Sequence, residues 1–225
     1  MLKAAWLIAR KDLRLVLARG AGLVQALLLG LLLIFVFSLS RETGEAMNGQ
    51  GAATIFWLSS AFCQVLSFNM IYGLEEANGA RAGLLLLPMP LQSVWLGKAL
   101  AGLCVILAAQ AVFLPAAVVF LGQTVGEGWP LALLALVLTD LGMAALGSLL
   151  GALSQGQAAR ESLLSVVLFP LIIPILLAGI RVGAGGFSEA LPEGAESWLG
   201  IVAAFDAVFL AAGLILFPFV FSGDE

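Results

Sequence analysis

Two aspartates, Asp140 and Asp206, stand inside long apolar runs, about ten and about eight residues from where those runs begin. A carboxylate at the centre of a bilayer costs roughly 2.5 to 3.5 kcal/mol on insertion scales, so such residues face a bundle interior and have a task there. The sequence places no lysine or arginine at matching depth. That leaves two chemistries: handling a proton or substrate, or a structural role hydrogen-bonded to Thr139, Gln110 or backbone, in a helix whose small residues (DLGMAALGSLLG) also suit packing. A second polar group is the stretch LEEANGARAGLLLLPMP, Leu74 to Pro90, with Glu75, Glu76, Asn78 and Arg81 followed by four leucines and two prolines. Residues 74 to 83 can form a short polar helix, and Pro88 and Pro90 bar its simple continuation. We read it as a docking helix for a soluble partner; composition alone allows an ordinary solvated loop. There is no histidine, and Cys63 and Cys104 lie singly within apolar runs, which argues against zinc sites and structural disulfides. The patterns GxxxxGKS/T, HExxH and GxSxG are absent, so the chain has no ATP site of its own and no visible nucleophile, base or metal constellation.

The elements that must hold these residues are membrane spans. Of 225 residues, 62% are hydrophobic and 11% charged, which excludes a soluble globule with an ordinary charged surface. Residues 1 to 19 read as a basic amphipathic interfacial helix: Trp6, Ala9, Leu13 and Leu17 share one face and Lys3, Arg10, Lys11 and Arg14 another. A plain topogenic tail is the simpler alternative. A cleaved signal peptide is disfavoured, because the apolar run before Ser38-Leu39-Ser40 is about twice the usual length. Six spans follow, at about 21–39, 51–72, 97–121, 131–153, 163–180 and 198–220. In the first, Gly22, Ala26 and Gly30 make a face for close helix packing. Pro115 interrupts the third, and Pro170 and Pro174 should break or bend the fifth. The segment 181–197 is irregular and acidic. No internal repeat or second domain is visible, so the expected fold is a single all-α domain.

Six spans put both termini on one side. Lys3, Arg10, Lys11, Arg14, Arg19, Arg81, Lys98 and Arg160 then fall on that side, against Arg41 and Arg181 on the other, so the termini and the 74–90 stretch are expected to be cytoplasmic.

Taken together, RKDLRL near the N-terminus, LEEANGARAGLLLLPMP after the second span, Lys98 opening the third and FPLIIPILLAG in the fifth resemble the CcmB family, the heme exporter protein B subunits of the ABC-type system for c-type cytochrome maturation. The similarity covers essentially the whole chain, and its most specific elements are LLLLPMP followed by Lys98, and PLIIP. The resemblance implies a type-2 ABC permease in the bacterial inner membrane, with an interfacial N-terminal helix, six membrane helices and a cytoplasmic coupling helix. It implies a separate CcmA-like ATPase docked on that helix through Leu74, Glu75, Glu76, Asn78, Gly79, Ala80 and Arg81. CcmC-like and CcmD-like subunits would handle heme and its transfer to a CcmE-like chaperone. The chain departs from the family pattern at Ala82 and Gly83, where an acidic residue is usual. Heme iron is usually held by His, Met, Cys or Tyr. Here only five methionines, the two span-buried cysteines and one tyrosine are available; the expectation is that no cofactor is bound directly and that heme is cargo held by partners. Two alternatives stay open: an ABC permease for another cargo, and a proton-coupled secondary transporter using Asp140 and Asp206.

Overall fold

A computed structural model describes residues 1–40, 47–77, 79–155, 160–187 and 193–222. The described residues are helical almost throughout: α1 (Leu2–Arg19), α2 (Ala21–Leu39), α3 (Gly49–Ala77), α4 (Ala80–Leu85), α5 (Leu91–Phe120), α6 (Trp129–Leu153), α7 (Arg160–Gly183) with a 3₁₀ turn at Ala184–Phe187, and α8 (Ala195–Ser222). Six of them, all but α1 and α4, contain stretches long and apolar enough to cross a membrane. Arg41 and the acidic tail Asp224-Glu225 lie outside the described residues, as does Asn78.

Three boundaries differ from the sequence reading, and each has a local cause. Helix α3 does not stop at Tyr72 but carries Leu74, Glu75 and Glu76 in its last turns. The polar helix expected over 74–83 is therefore split: its first part belongs to α3, and only Ala80–Leu85 forms α4. The break falls beside Gly79, whose φ of 62° is left-handed and easy only for a residue without Cβ. Helix α5 begins at Leu91, since Pro90 in extended conformation (φ −65°, ψ 137°) serves as its N-cap; Lys98 is thus two turns inside it. Pro115, Pro170 and Pro174 all sit within continuous helices, so neither α5 nor α7 is broken.

Helices α3 and α6 are central and buried along most of their length, while α2 and α8 present most of theirs outward. Between apolar helices in lipid there is little hydrophobic drive to associate, so contact depends on fit, and here the fit is aromatic rings set against bare glycine backbone. Gly30 of α2 faces the Phe113 ring, Gly102 of α5 and Gly147 of α6 both face Phe68 of α3, and Gly213 of α8 faces Trp95. A Cβ at any of the four would collide with the ring. The small face of α2 is used in this way, with Gly22 against Met70 and Ala26 buried.

Helix α1 corrects the two-faced reading. Its packed face is Ala5, Ile8, Ala9, Asp12 and Val16, laid chiefly on α5, where Gly97 lets the backbone at Ala5 come close. Trp6 and Leu17 are exposed on the neighbouring strip, and Lys3, Arg10 and Arg14 are exposed beyond them. Ala9 therefore belongs to the bundle and not to the strip around Trp6.

Candidate functional site

The site is built where α1, the end of α3 and the start of α5 meet. Tyr72 and Glu75 are three apart on α3 and share a face, as do Trp95 and Lys98 on α5. Asp12, on the packed face of α1, points the same way. The result is a four-charge cluster. Lys98 Nζ lies 2.8 Å from Glu75 Oε2 and 3.4 Å from Asp12 Oδ2; Lys11 Nζ lies 2.6 Å from Glu75 Oε1 and 2.9 Å from Asp12 Oδ1. The Lys98–Glu75 approach is a charge contact and not an aligned hydrogen bond, since Glu75 Oε2 has no partner of hydrogen-bond geometry. The Lys98 ammonium also sits 4.5 Å from the centre of the Tyr72 ring. Lys98 is 0% exposed, Glu75 2% and Asp12 3%. Two cations and two anions neutralise one another, the condition under which buried charges are tolerated. Burial works to lower the Lys11 pKa, but the carboxylates of Asp12 and Glu75 outweigh it and the net shift is upward.

The cluster is braced from α6. Tyr72 Oη shares a 2.8 Å hydrogen bond with Ser148 Oγ, which donates to the Trp95 carbonyl at 3.1 Å; Trp95 Nε1 in turn donates to the Ala145 carbonyl at 3.3 Å. So one interlocked unit spans four helices.

Beside it, α4 hangs on the end of α8. Arg81 Nη2 and Nε donate to the Phe221 carbonyl at 2.8 and 3.1 Å, and Nη2 reaches the Val220 carbonyl at 3.5 Å. The guanidinium carbon is 5.5 Å from the centre of the Phe221 ring. Leu84 is buried beneath α4, whereas Glu76, Ala82, Gly83 and Leu85 to Leu87 are exposed, Leu86 by 86%.

The docking set expected from the sequence is thus distributed over different surroundings. Glu75 and Arg81 turn into the protein, and Glu75 in particular is closed off by Lys98, Lys11 and Asp12. Leu74 and Ala80 are half-buried, Glu76 and Gly79 exposed, and Asn78 lies outside the described residues. Asp12 is the member that sequence reading missed. Its signal was an acidic residue on the Ala5, Ile8, Ala9, Val16 face at helical spacing, hidden because its sequence neighbours are cations.

The two intramembrane aspartates are not brought together. Asp140 accepts from Gln110 Nε2 at 2.9 Å, and the same amide contacts Ser60 Oγ at 3.2 Å. Asp140 Oδ2, Gln110 Oε1 and Thr139 Oγ1 are buried without a hydrogen-bond partner, so Gln110 but not Thr139 supplies the bond expected from sequence. Asp206 packs against Gly142 and has no hydrogen-bond partner on either oxygen. Residues 140 and 142 are about 200° apart around α6, so the two carboxylates approach opposite faces of that helix. One turn along from Asp140, Gln64 of α3 donates to the Met143 carbonyl.

At the other end of the bundle α3, α5, α6 and the 3₁₀ turn surround an apolar cavity of about 440 Å³ whose walls include Phe56, Trp57, Pro115, Trp129, Leu136 and Phe187. No His, Met, Cys or Tyr lines it. Cys63 is buried against Ser67 and Cys104 is exposed, and among the described residues no three of His, Cys, Asp and Glu cluster as a metal site would require.

The family described as CcmB protein matches residues 3–223 of the chain. Among curated relatives, the chain is 28% identical to heme exporter protein B of Haemophilus influenzae over 192 residues, covering 80% of this chain and 84% of that one. It is 29% identical to heme exporter protein B of Paracoccus denitrificans over 181 residues, 78% of this chain and 82% of the relative. The protein of the same name from Pseudomonas aeruginosa is 25% identical over 213 residues, 95% and 92% of the two chains.

Proposed function

The chain belongs to the CcmB protein family, and from that membership we propose that it is the membrane permease subunit of an ABC transporter that exports heme for c-type cytochrome biogenesis. The cargo follows from the relatives, each named a heme exporter protein B. The energy comes from a separate CcmA-like ATPase, since this sequence has no nucleotide-binding motif. The observation that carries the reading is α4: a six-residue helix between the second and third spans, anchored through Leu84 and Arg81, that offers an exposed leucine edge.

In this reading the ATPase binds the exposed side of this segment, through Glu76, Gly79, Ala82 and Leu85 to Leu87, while Glu75 and Arg81 face away from it into the protein. The basic end, with α1 and α4, is cytoplasmic by the excess of lysine and arginine there, and the chain is a multi-pass protein of the inner membrane. CcmC-like and CcmD-like subunits hold the heme iron and pass it to a CcmE-like chaperone. The apolar cavity offers aromatic and aliphatic wall and no side chain of a type that ligates iron, which supports a reading in which this subunit moves, or gives passage to, what its partners hold.

The test is purification of the complex from native membranes followed by ATP hydrolysis in proteoliposomes. An ATPase should co-purify, and Leu86→Glu should abolish that association without loss of the membrane subunit. Wild-type protein that performs its transport with no ATPase attached would overturn the proposal.

A further inference from the structure

Among the described residues Arg81 makes no ion pair, and its Nε and Nη2 are instead bonded to backbone carbonyls of α8. Val220 and Phe221 are in the last turn of α8, where carbonyls have no amide left to accept from within the helix and where the helix dipole is negative. A guanidinium placed there satisfies two of those carbonyls and their field at once. Its carbon also lies over the Phe221 ring, 5.5 Å from the centre, and Phe221 stacks on Phe217 with ring centres 5.0 Å apart at 14°. Both rings are 0% exposed, so the grip reaches into the bundle and does not end on its rim.

A helix as short as α4 cannot hold its own place, since a single hydrogen-bonded turn costs more conformational freedom than it returns. Gly79 in left-handed conformation breaks its helical continuity with α3, on which it still packs, and Pro88 and Pro90 break that with α5. Helix α8, to which Arg81 is attached, packs more extensively on α6 than on any other helix. Helix α6 carries Asp140, Gly142 and Ser148. A push on α4 therefore has a route through α8 into the centre of the bundle that does not pass along the chain.

We propose that Arg81 is a positioning residue that hitches α4 to the end of α8, so that displacement of α4 is delivered to the α6–α8 pair. The idea rests on the ATP-driven reading above and assigns Arg81 to the transmission of force, not to contact with the ATPase. Phe221 is its partner in that task.

The experiment uses the assembled complex in proteoliposomes and reads two quantities separately: association of the ATPase with the membrane subunit, and transport-dependent stimulation of ATP hydrolysis. Arg81→Ala should leave association within about twofold of wild type and lower stimulation about tenfold. Arg81→Lys should not rescue, because an ammonium cannot fork onto two carbonyls and cover a ring. Phe221→Ala should lower stimulation as well, and the double variant should be no worse than Arg81→Ala alone, the signature of residues acting as one unit. In parallel, spin labels at Ala82 and Ser222 should give a narrow distance distribution that broadens in Arg81→Ala, a readout that needs no ATPase. If Arg81→Ala loses association as Leu86→Glu does, if the two effects add, or if the spin-label distribution is unchanged, the hitch is wrong. If wild-type protein recruits no ATPase at all, the functional reading fails first and takes the transmission role with it.

Discussion

Buried charge is handled in opposite ways at the basic end of the bundle and in its middle. At the basic end Lys11, Asp12, Glu75 and Lys98, drawn from three helices, pair completely. In the middle, among the described residues, Asp140 has one amide donor and Asp206 has none, and neither forms an ion pair. The first arrangement makes each charge a condition for its neighbours, so it joins α1, α3 and α5 into a unit that fails together. The second leaves each carboxylate alone with its helix, so that its removal matters only as far as one hydrogen bond. Pairing is thus what separates a structural joint from a tolerated polar residue.

Loss of Lys98 should be the most damaging change. Lys98→Met leaves Asp12 and Glu75 buried with a single cation between them and should cost about 3 to 5 kcal/mol, read as thermal unfolding of the purified protein in detergent. Glu75→Gln in the same chain restores charge balance and should recover part of it. A single variant as stable as wild type would show that the cluster is not a joint. A smaller effect sharpens the contrast between the aspartates. Asp140→Leu leaves the Gln110 amide without its carboxylate acceptor and should cost about 1 to 3 kcal/mol, with Asp140→Asn milder because it keeps an acceptor. Asp206→Leu removes a group that makes no hydrogen bond and should be neutral or stabilising. Equal losses from the two leucine variants would end the distinction.

The smallest effect concerns Lys11, which is 39% exposed and therefore screened by solvent. Its folded pKa is raised above the ordinary value of 10.5, so the folded protein holds that proton more tightly than the unfolded chain does. Its contribution is fully present below pH 10.5 and is lost as pH rises through the higher folded value. Stability measured through that alkaline window should fall slightly more steeply in wild type than in Lys11→Met; parallel curves would show that Lys11 adds nothing to the cluster.

Most of the fold was legible because hydropathy and length decide which segments cross a membrane, and the place of α4 was legible because polar residues and two prolines interrupt that pattern. The pairing was not. Glu75 lies in a polar stretch and reads as surface until α3 is seen to run on to Ala77, which puts it three residues from Tyr72 on a buried face. Lys98 reads as a residue at the membrane edge until Pro90 is recognised as the start of α5. Asp12 reads as one more charge among cations. In each case the side chain's direction depends on where its helix begins or ends, and boundaries are what composition defines least. Arg81 differs, since its acceptors are backbone carbonyls 139 and 140 residues away, which no side-chain pattern announces.

The setting of Phe68 against both Gly102 and Gly147 bears on the order in which the protein can be made. Chains are built from the N-terminus, so α3 enters the membrane before either helix that will cover it. Lys98 meets Asp12 and Glu75 already in place, and Asp140 meets Gln110. Gln64 and Tyr72 have no such precedent: their partners, the Met143 carbonyl and Ser148, are 79 and 76 residues further on and arrive only with α6. Until α6 has been synthesised, the Gln64 amide and the Tyr72 hydroxyl lack the partners that the finished fold gives them.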